Sequence, residues 1–262
     1  MTTGLLALIF DVDGTLADTE RDGHRPAFNS AFSAAGLDWH WSEECYGELL
    51  AVTGGKERMR HYVQRYRPDF HCDGDLDALI GGLHRRKTAI YLERLRTGGI
   101  PLRPGVLRLL REARAAGLRL AIATTTTPEN VSALLAAAPE PELAAWFEVI
   151  AAGDIVPHKK PAPDIFNLVL AQLQLPASAC IVIEDSDNGV CAALAAGLRA
   201  LLVTVSSYTH DQDFAGAALV VDQLGEPDAA GITALAGDLH GHRLVDLALL
   251  RQLHADCYGF GP

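Results

Sequence analysis

Five short apolar runs, Leu5 to Phe10, Leu118 to Ala123, Glu148 to Ala151, Cys180 to Ile183 and Ala200 to Val205, are separated by helical patterns and not by tight turns. Such runs predict strands buried on both faces, and helical stretches between them predict parallel βαβ connections. The helical patterns are Gly105 to Ala116, Pro128 to Ala138, Pro163 to Leu173 and Gly189 to Ala196. The expected fold class is α/β, a doubly wound parallel sheet, with Leu219 to Val221 a possible sixth strand. Ala115-Ala116-Gly117-Leu118-Arg119 recurs as Ala195-Ala196-Gly197-Leu198-Arg199, but a Gly closing a helix before a strand explains this without a repeat.

The stretch from Thr19 to Gly98 breaks the alternation. Its apolar spacing is helical, as in Ala27, Phe28, Ala31 and Phe32 and again in Leu79, Ile80 and Leu83. It holds twelve Lys/Arg against twelve Asp/Glu, so the whole excess behind the net charge of −11 lies outside it. The expected organisation is a core of 1–18 and 99–225, a helical cap inserted at 19–98, and a C-terminal extension at 226–262 carrying a helix from Arg243 to His254.

The acidic balance argues against nucleic acid and anionic membrane as partners. No segment reaches the roughly 18 uninterrupted apolar residues that span a bilayer, and the first strand begins too near Met1 for a signal peptide, so a cytoplasmic protein is expected. Five scattered cysteines without a C-x-x-C read as reduced thiols, neither a disulfide framework nor a zinc site. The histidines show no ligand spacing either; His240-Gly-His242 is isolated.

In such sheets ligands sit beyond the carboxyl ends of the strands, and four ends here carry chemistry. The first run ends in Asp11-Val12-Asp13-Gly14-Thr15, whose spacing puts two carboxylates on one face of an extended chain. Two anions that close need a cation or a shared proton, and Mg²⁺ suits hard oxygen ligands. A plain Asp-Gly turn is the alternative; an EF-hand loop is excluded, because it needs Gly at Leu16 and Glu at Asp22. The second end is Thr124-Thr125-Thr126-Thr127, hydroxyls and amides at a helix start that suit a phosphate oxygen or, at Thr127, a helix cap. His158-Lys159-Lys160-Pro161 follows the third strand and delivers a cation. Glu184-Asp185-Ser186 ends the fourth, where charge on a buried strand calls for compensation.

This ordered set resembles the haloacid dehalogenase superfamily of aspartate-based phosphohydrolases, over nearly the whole chain up to about Asp222. The resemblance implies Asp11 as nucleophile and Asp13 as general acid/base. It likewise implies Thr124 and Lys160, with Thr125 and Thr126, around the transferring phosphoryl group, and Asp11, Asp13, Glu184 and Asp185 around Mg²⁺. Dehalogenating members lack an acid at the position of Asp13, which speaks against dehalogenation. Within the cap, Asp18 to Arg25 and Thr53-Gly54-Gly55-Lys56-Glu57-Arg58 look like the CbbY-type group, whose members are similar to xylulose-1,5-bisphosphate phosphatases associated with the Calvin cycle.

By that likeness Glu20 and His24 reach sugar hydroxyls, while Thr53, Gly54, Gly55, Lys56 and Arg58 hold a second phosphate. Surface exposure or capping is the plainer reading of Glu20 and His24, and an exposed turn that of the glycine pair. The expected activity is Mg²⁺-dependent hydrolysis of xylulose 1,5-bisphosphate to xylulose 5-phosphate and phosphate through an aspartyl phosphate, by a monomer or weak homo-oligomer. A β-phosphoglucomutase-like mutase is the nearest rival, and a non-catalytic regulatory binding protein the rival of another class. The tail beyond Gly225 and the stretch from Asp69 to Asp77 match no motif.

Overall fold

Ala7–Phe10 form β1, and all four residues are fully buried because strands and helices cover both sides of them. The structure, a computed structural model, describes residues 4–52, 54–72, 74–97 and 99–259. Five more parallel strands follow: β2 (Arg119–Ala123), β3 (Phe147–Ala151), β4 (Cys180–Glu184), β5 (Leu201–Thr204) and β6 (Leu219–Val221). A short β7 (Ala234–Ala236) pairs antiparallel with β6. The order is β3-β2-β1-β4-β5-β6-β7, so the winding reverses where β1 stands between β2 and β4. That reversal opens the crevice in which α/β sheets bind ligands.

Chain contacts divide the molecule into two units, Met1–Asp18 with Pro101–Pro262 and Thr19–Ile100. The first holds the sheet, and the second is helical. In chain order the helices are α1 (Arg25–Ala34), α2 (Glu43–Leu49), α3 (Gly55–Tyr66), α4 (Leu76–Arg96), α5 (Val106–Ala115), α6 (Pro128–Ala137), α7 (Asp164–Leu173), α8 (Asp187–Ala195) and α9 (Leu247–Tyr258). One face of the sheet is filled by Ile9, Ala121, Val149 and Val182 against Ile165, Phe166 and Val169 of α7. The helical unit has an aromatic centre, with Phe28 4.6 Å and Phe32 4.9 Å from the fully buried Trp41. The Asn29 side chain fixes Trp41, donating to its carbonyl at 2.9 Å and accepting from its amide at 2.8 Å.

Three local readings differ. The run at 148–151 is not buried on both faces: β3 is an edge strand, so Phe147, Val149 and Ala151 turn inward while Glu148 and Ile150 are exposed. The last helix begins at Leu247, not Arg243, because the Asp246 side chain accepts from the Leu249 amide and caps it there. Residues before it stay extended, with the Val245 amide donating to Leu224 O at 2.8 Å. Finally, β7 lies in the C-terminal extension, where only a helix is expected; three residues, two of them exposed, are too short to mark a strand.

Candidate active site

Strand register brings the first acids together. Phe10 is level with Ile122 of β2 and Ile183 of β4, so the next residues, Asp11, Ala123 and Glu184, emerge side by side at the carboxyl ends of three adjacent strands. The Asp11 amide donates to Ile183 O at 3.0 Å and keeps it in the sheet. Asp11, Glu184 and Asp185 are 7%, 1% and 6% exposed, and each offers a carboxylate oxygen within 4.8 Å of the others.

The strand stops at Phe10, so alternation does not carry through Asp13. A turn places it instead: the Thr15, Leu16 and Ala17 amides all donate to Val12 O, and Gly14 takes φ +80°. Asp13 stands outside the group of three carboxylates, half-buried, yet near enough for its charge to oppose ionisation of Asp11. A Cβ on Gly14 would lie 1.9 Å from Asp185 Oδ2, so this carboxylate packs where only glycine leaves room.

Lys160 enters the cluster from the loop before α7, with its side chain 6% exposed. Its Nζ donates to Asp11 Oδ1 at 2.6 Å, to Ala123 O at 2.8 Å and to Glu184 Oε1. Burial would lower its pKa, but the Asp11 and Glu184 carboxylates override that and hold it above the ordinary lysine value. The cation read for this strand end thus stands in a buried site. The second oxygen of Glu184 faces the start of α8 and accepts from the Asp185 amide at 3.1 Å and from Ser186 Oγ at 3.3 Å. Gly189 in the first turn of α8 makes this possible, because a Cβ there would fall 2.0 Å from Glu184 Cδ.

Lys160 pairs with two of the three buried carboxylates, and at the third, Asp185, the Arg103 guanidinium is the cation that favours ionisation. Burial raises the pKa of Asp11 and of Glu184 against the pull of Lys160. Asp185 is raised well above the ordinary carboxylate value, by burial and then by the charges of Glu184 and Asp11. A compact set of hard oxygen donors with uncompensated charge fits a divalent cation of the Mg²⁺ kind.

Beyond β2, Thr124 is buried and its Oγ1 accepts from the Thr126 amide at 3.3 Å. Asn130 of α6 donates to Thr126 Oγ1 at 3.2 Å, and Thr125 is exposed. Thr127 precedes α6, but its hydroxyl makes no capping hydrogen bond, so the capping role read for it does not hold.

In the helical unit, Glu20 and His24 share the π-helical turn Glu20–His24 that leads into α1. Tyr46 Oη donates to Glu20 Oε2 at 2.5 Å and accepts from Arg58 Nη1 at 2.9 Å; Arg58 also donates to Leu49 O at 3.2 Å. Arg58 is therefore buried, whereas Lys56 is exposed and Gly54 and Gly55 open α3. Thr53 lies outside the described residues, as does Gly98 at the expected cap boundary.

His24 stacks on Tyr91 at 3.9 Å, with Nδ1 2.8 Å from Lys87 Nζ. Burial first, then Lys87, Arg58 and His84, push its pKa well below the ordinary value. An ammonium offers only donors, so Nδ1 accepts and the neutral ring carries its proton on Nε2. Lys87 escapes a reading of the sequence because Arg85-Arg86-Lys87 looks like a solvated face. Its spacing from Ile80, Leu83, Tyr91 and Leu95, all buried on one stripe of α4, is the signal that marks it.

Residues 5–197 match the sequence profile of haloacid dehalogenase-like hydrolase. Protein CbbY (plasmid) of Cupriavidus necator is 47% identical over 248 residues, 95% of this chain and 96% of that protein. Protein CbbY of Rhodobacter capsulatus is 53% identical over 81% of this chain and 91% of its own length. Among solved structures, CbbY from Rhodobacter sphaeroides in complex with xylulose-(1,5)bisphosphate superposes with a TM-score of 0.70 at 45% identity, covering 86% of this chain and 96% of that one.

Proposed function

Because the chain belongs to the haloacid dehalogenase-like hydrolase family and is a phosphatase of its CbbY type, we propose that its substrate is a sugar bisphosphate, xylulose 1,5-bisphosphate. The products are xylulose 5-phosphate and inorganic phosphate. The observation that carries this reading is the buried Asp11 carboxylate at the winding reversal, gripped by Lys160 at 2.6 Å. The choice of sugar is supported by the bisphosphate bound to the solved relative.

An Asp11 oxygen attacks phosphorus, and the bond from phosphorus to the sugar oxygen breaks as the aspartyl phosphate forms. Asp13 gives a proton to the departing sugar oxygen. It then takes one from the water that attacks the aspartyl phosphate, which frees phosphate and restores both carboxyls. Lys160 and the Thr124 to Thr126 cluster hold the phosphoryl oxygens, so that an anion can approach an anion. Members of this family typically use a divalent metal. Here Asp11, Glu184 and Asp185 would hold Mg²⁺, which supplies positive charge against the phosphoryl oxygens.

Phosphate release from a panel of sugar mono- and bisphosphates tests the assignment. Xylulose 1,5-bisphosphate should lead the panel in kcat/KM; a preference for a monophosphate overturns it. Lys56, exposed beside Gly54 and Gly55, is assigned to the phosphate that is not cleaved. Lys56→Ala should lower kcat/KM for the bisphosphate by roughly 10-fold or more and leave small aryl phosphates nearly unchanged, since one charge-assisted contact is worth about 1.5–3 kcal/mol. Equal losses on both substrates would remove Lys56 from phosphate binding. Arg58 is the poorer probe, because its truncation also strips Tyr46 of a donor.

Metal removal has a pH signature. A carboxyl whose pKa is raised on folding binds its proton more tightly in the folded chain, so stability from that group falls as pH climbs from the unfolded value through the folded one. Asp11, Glu184 and Asp185 are all raised. The melting temperature of the chelated protein should therefore decline with rising pH over that window, and the increase given by Mg²⁺ should grow, because cation and proton compete for the same oxygens. A Mg²⁺ increment that stays constant from pH 5 to pH 8 contradicts the site.

A further inference from the structure

Arg103 has no part in the chemistry above, yet its guanidinium gathers the ends of three strands. Nη1 donates to Gly14 O in the turn after β1, and to Thr204 O at 3.0 Å and Thr204 Oγ1 at 3.1 Å at the end of β5. Nη2 donates to Val205 O at 2.6 Å and to Asp222 O, just past β6, at 3.0 Å. Its own amide donates to Leu16 O at 2.8 Å. Four carbonyls from three separated segments thus converge on one planar fork. A lysine, with a single nitrogen, could not span them.

Two of those segments flank Asp185. On one side Gly14 presses its Cα against the carboxylate, where a Cβ would sit 1.9 Å from Oδ2. On the other, the hydroxyl of Ser206, next in the chain to the gripped Val205, favours the charged form of the same carboxylate, as does the Arg103 guanidinium itself. The Ser206 loop is itself tied, its amide donating to Thr209 Oγ1 at 2.8 Å. We infer that Arg103 is a positioning residue that clamps the Gly14 turn and the Val205–Ser206 strand end against the two sides of Asp185, holding its carboxylate beside those of Asp11 and Glu184, where the three would bind Mg²⁺. The inference rests on the divalent-cation reading of that cluster. Arg103 acts through the segments it grips and through its charge beside Asp185, and needs no contact with substrate.

The test is calorimetric titration of Mg²⁺ into the full-length protein without substrate, for wild type, Arg103→Lys and Thr204→Val, beside kcat and KM on an aryl phosphate and the melting temperature. Partners that orient metal ligands typically contribute 10- to 100-fold in affinity. Arg103→Lys should weaken Mg²⁺ binding by roughly that range and lower kcat, with KM for the aryl phosphate within about twofold. A brace of the fold alone would move the melting temperature and leave affinity and kcat of the folded protein within about twofold; that result overturns the inference. If Arg103→Lys does not fold, Thr204→Val decides, since it removes one acceptor and keeps the β-branched shape. Its Mg²⁺ affinity should fall about threefold, and an unchanged value overturns the inference. Wild type that takes up no Mg²⁺ at millimolar concentration would instead sink the metal reading itself.

Discussion

Asp11→Asn should lower kcat by roughly a thousandfold or more while the sheet stays folded. Asparagine keeps the size of the side chain and can still accept from Lys160, but it cannot attack phosphorus as an anion. The fold has reason to tolerate the change. Asp11 is one of three clustered buried carboxylates, and its neutralisation removes repulsion from Glu184 and Asp185. Lys160 retains Glu184 Oε1 and Ala123 O as acceptors. The measurement is kcat on an aryl phosphate together with the melting temperature in chelator. Retention of more than about a tenth of the activity would falsify the covalent route.

Lys160→Met should be as damaging to catalysis and, unlike Asp11→Asn, damaging to stability. Methionine fills a similar volume but leaves Asp11 and Glu184 without their cation, and breaking one side of a buried ion pair costs about 3–5 kcal/mol. The loss has a direction in pH. Lys160 lowers the pKa of both carboxyls against their burial. Once it is gone their folded values rise further, so the folded variant holds protons that the unfolded chain releases, and stability falls as pH rises. Urea unfolding of metal-free protein at pH 5.0 and pH 7.5 should show a larger deficit against wild type at the higher pH. An equal deficit at both values would mean that Lys160 acts through packing alone, for instance against Phe166, whose ring it overlies at 5.0 Å.

The parts of the fold legible in the sequence are those written in uninterrupted apolar runs. β1, β2, β4 and β5 are buried on both faces, so Leu8, Ile122, Val182 and Leu202 needed no structure to be placed, and the acids at the ends of β1 and β4 stood out as charge with nowhere to go. Edges of the sheet were harder to read, because β3 and β7 have only part of the burial that makes a run conspicuous. Within the site, Asp11, Glu184 and Asp185 could be named from their positions at strand ends. That Asp13 stands apart could not be, since it depends on where the strand gives way to the Gly14 turn. Tyr46 and Arg103 carry no motif. Each works through hydrogen bonds to residues 12 to 119 positions away, and only tertiary structure supplies those pairings. Lys87 lies between these cases, a charge hidden within a stripe whose period gives it away.

Where the chain leaves the sheet unit and where it returns are pinned to each other. Ala17 and Leu102 form an antiparallel bridge, and the Arg103 amide closes it on Leu16 O at 2.8 Å. The inserted segment Thr19–Ile100 is thereby a loop whose two ends are already joined by the host. Closing such a loop costs entropy that grows only with the logarithm of its length, about 0.6 kcal/mol for each doubling. The sheet is thus nearly indifferent to how many residues are strung between those two points. An insertion of another size could occupy the same place with little thermodynamic consequence for the carboxylates of the sheet unit, so that the inserted segment and the strand ends can change independently of one another.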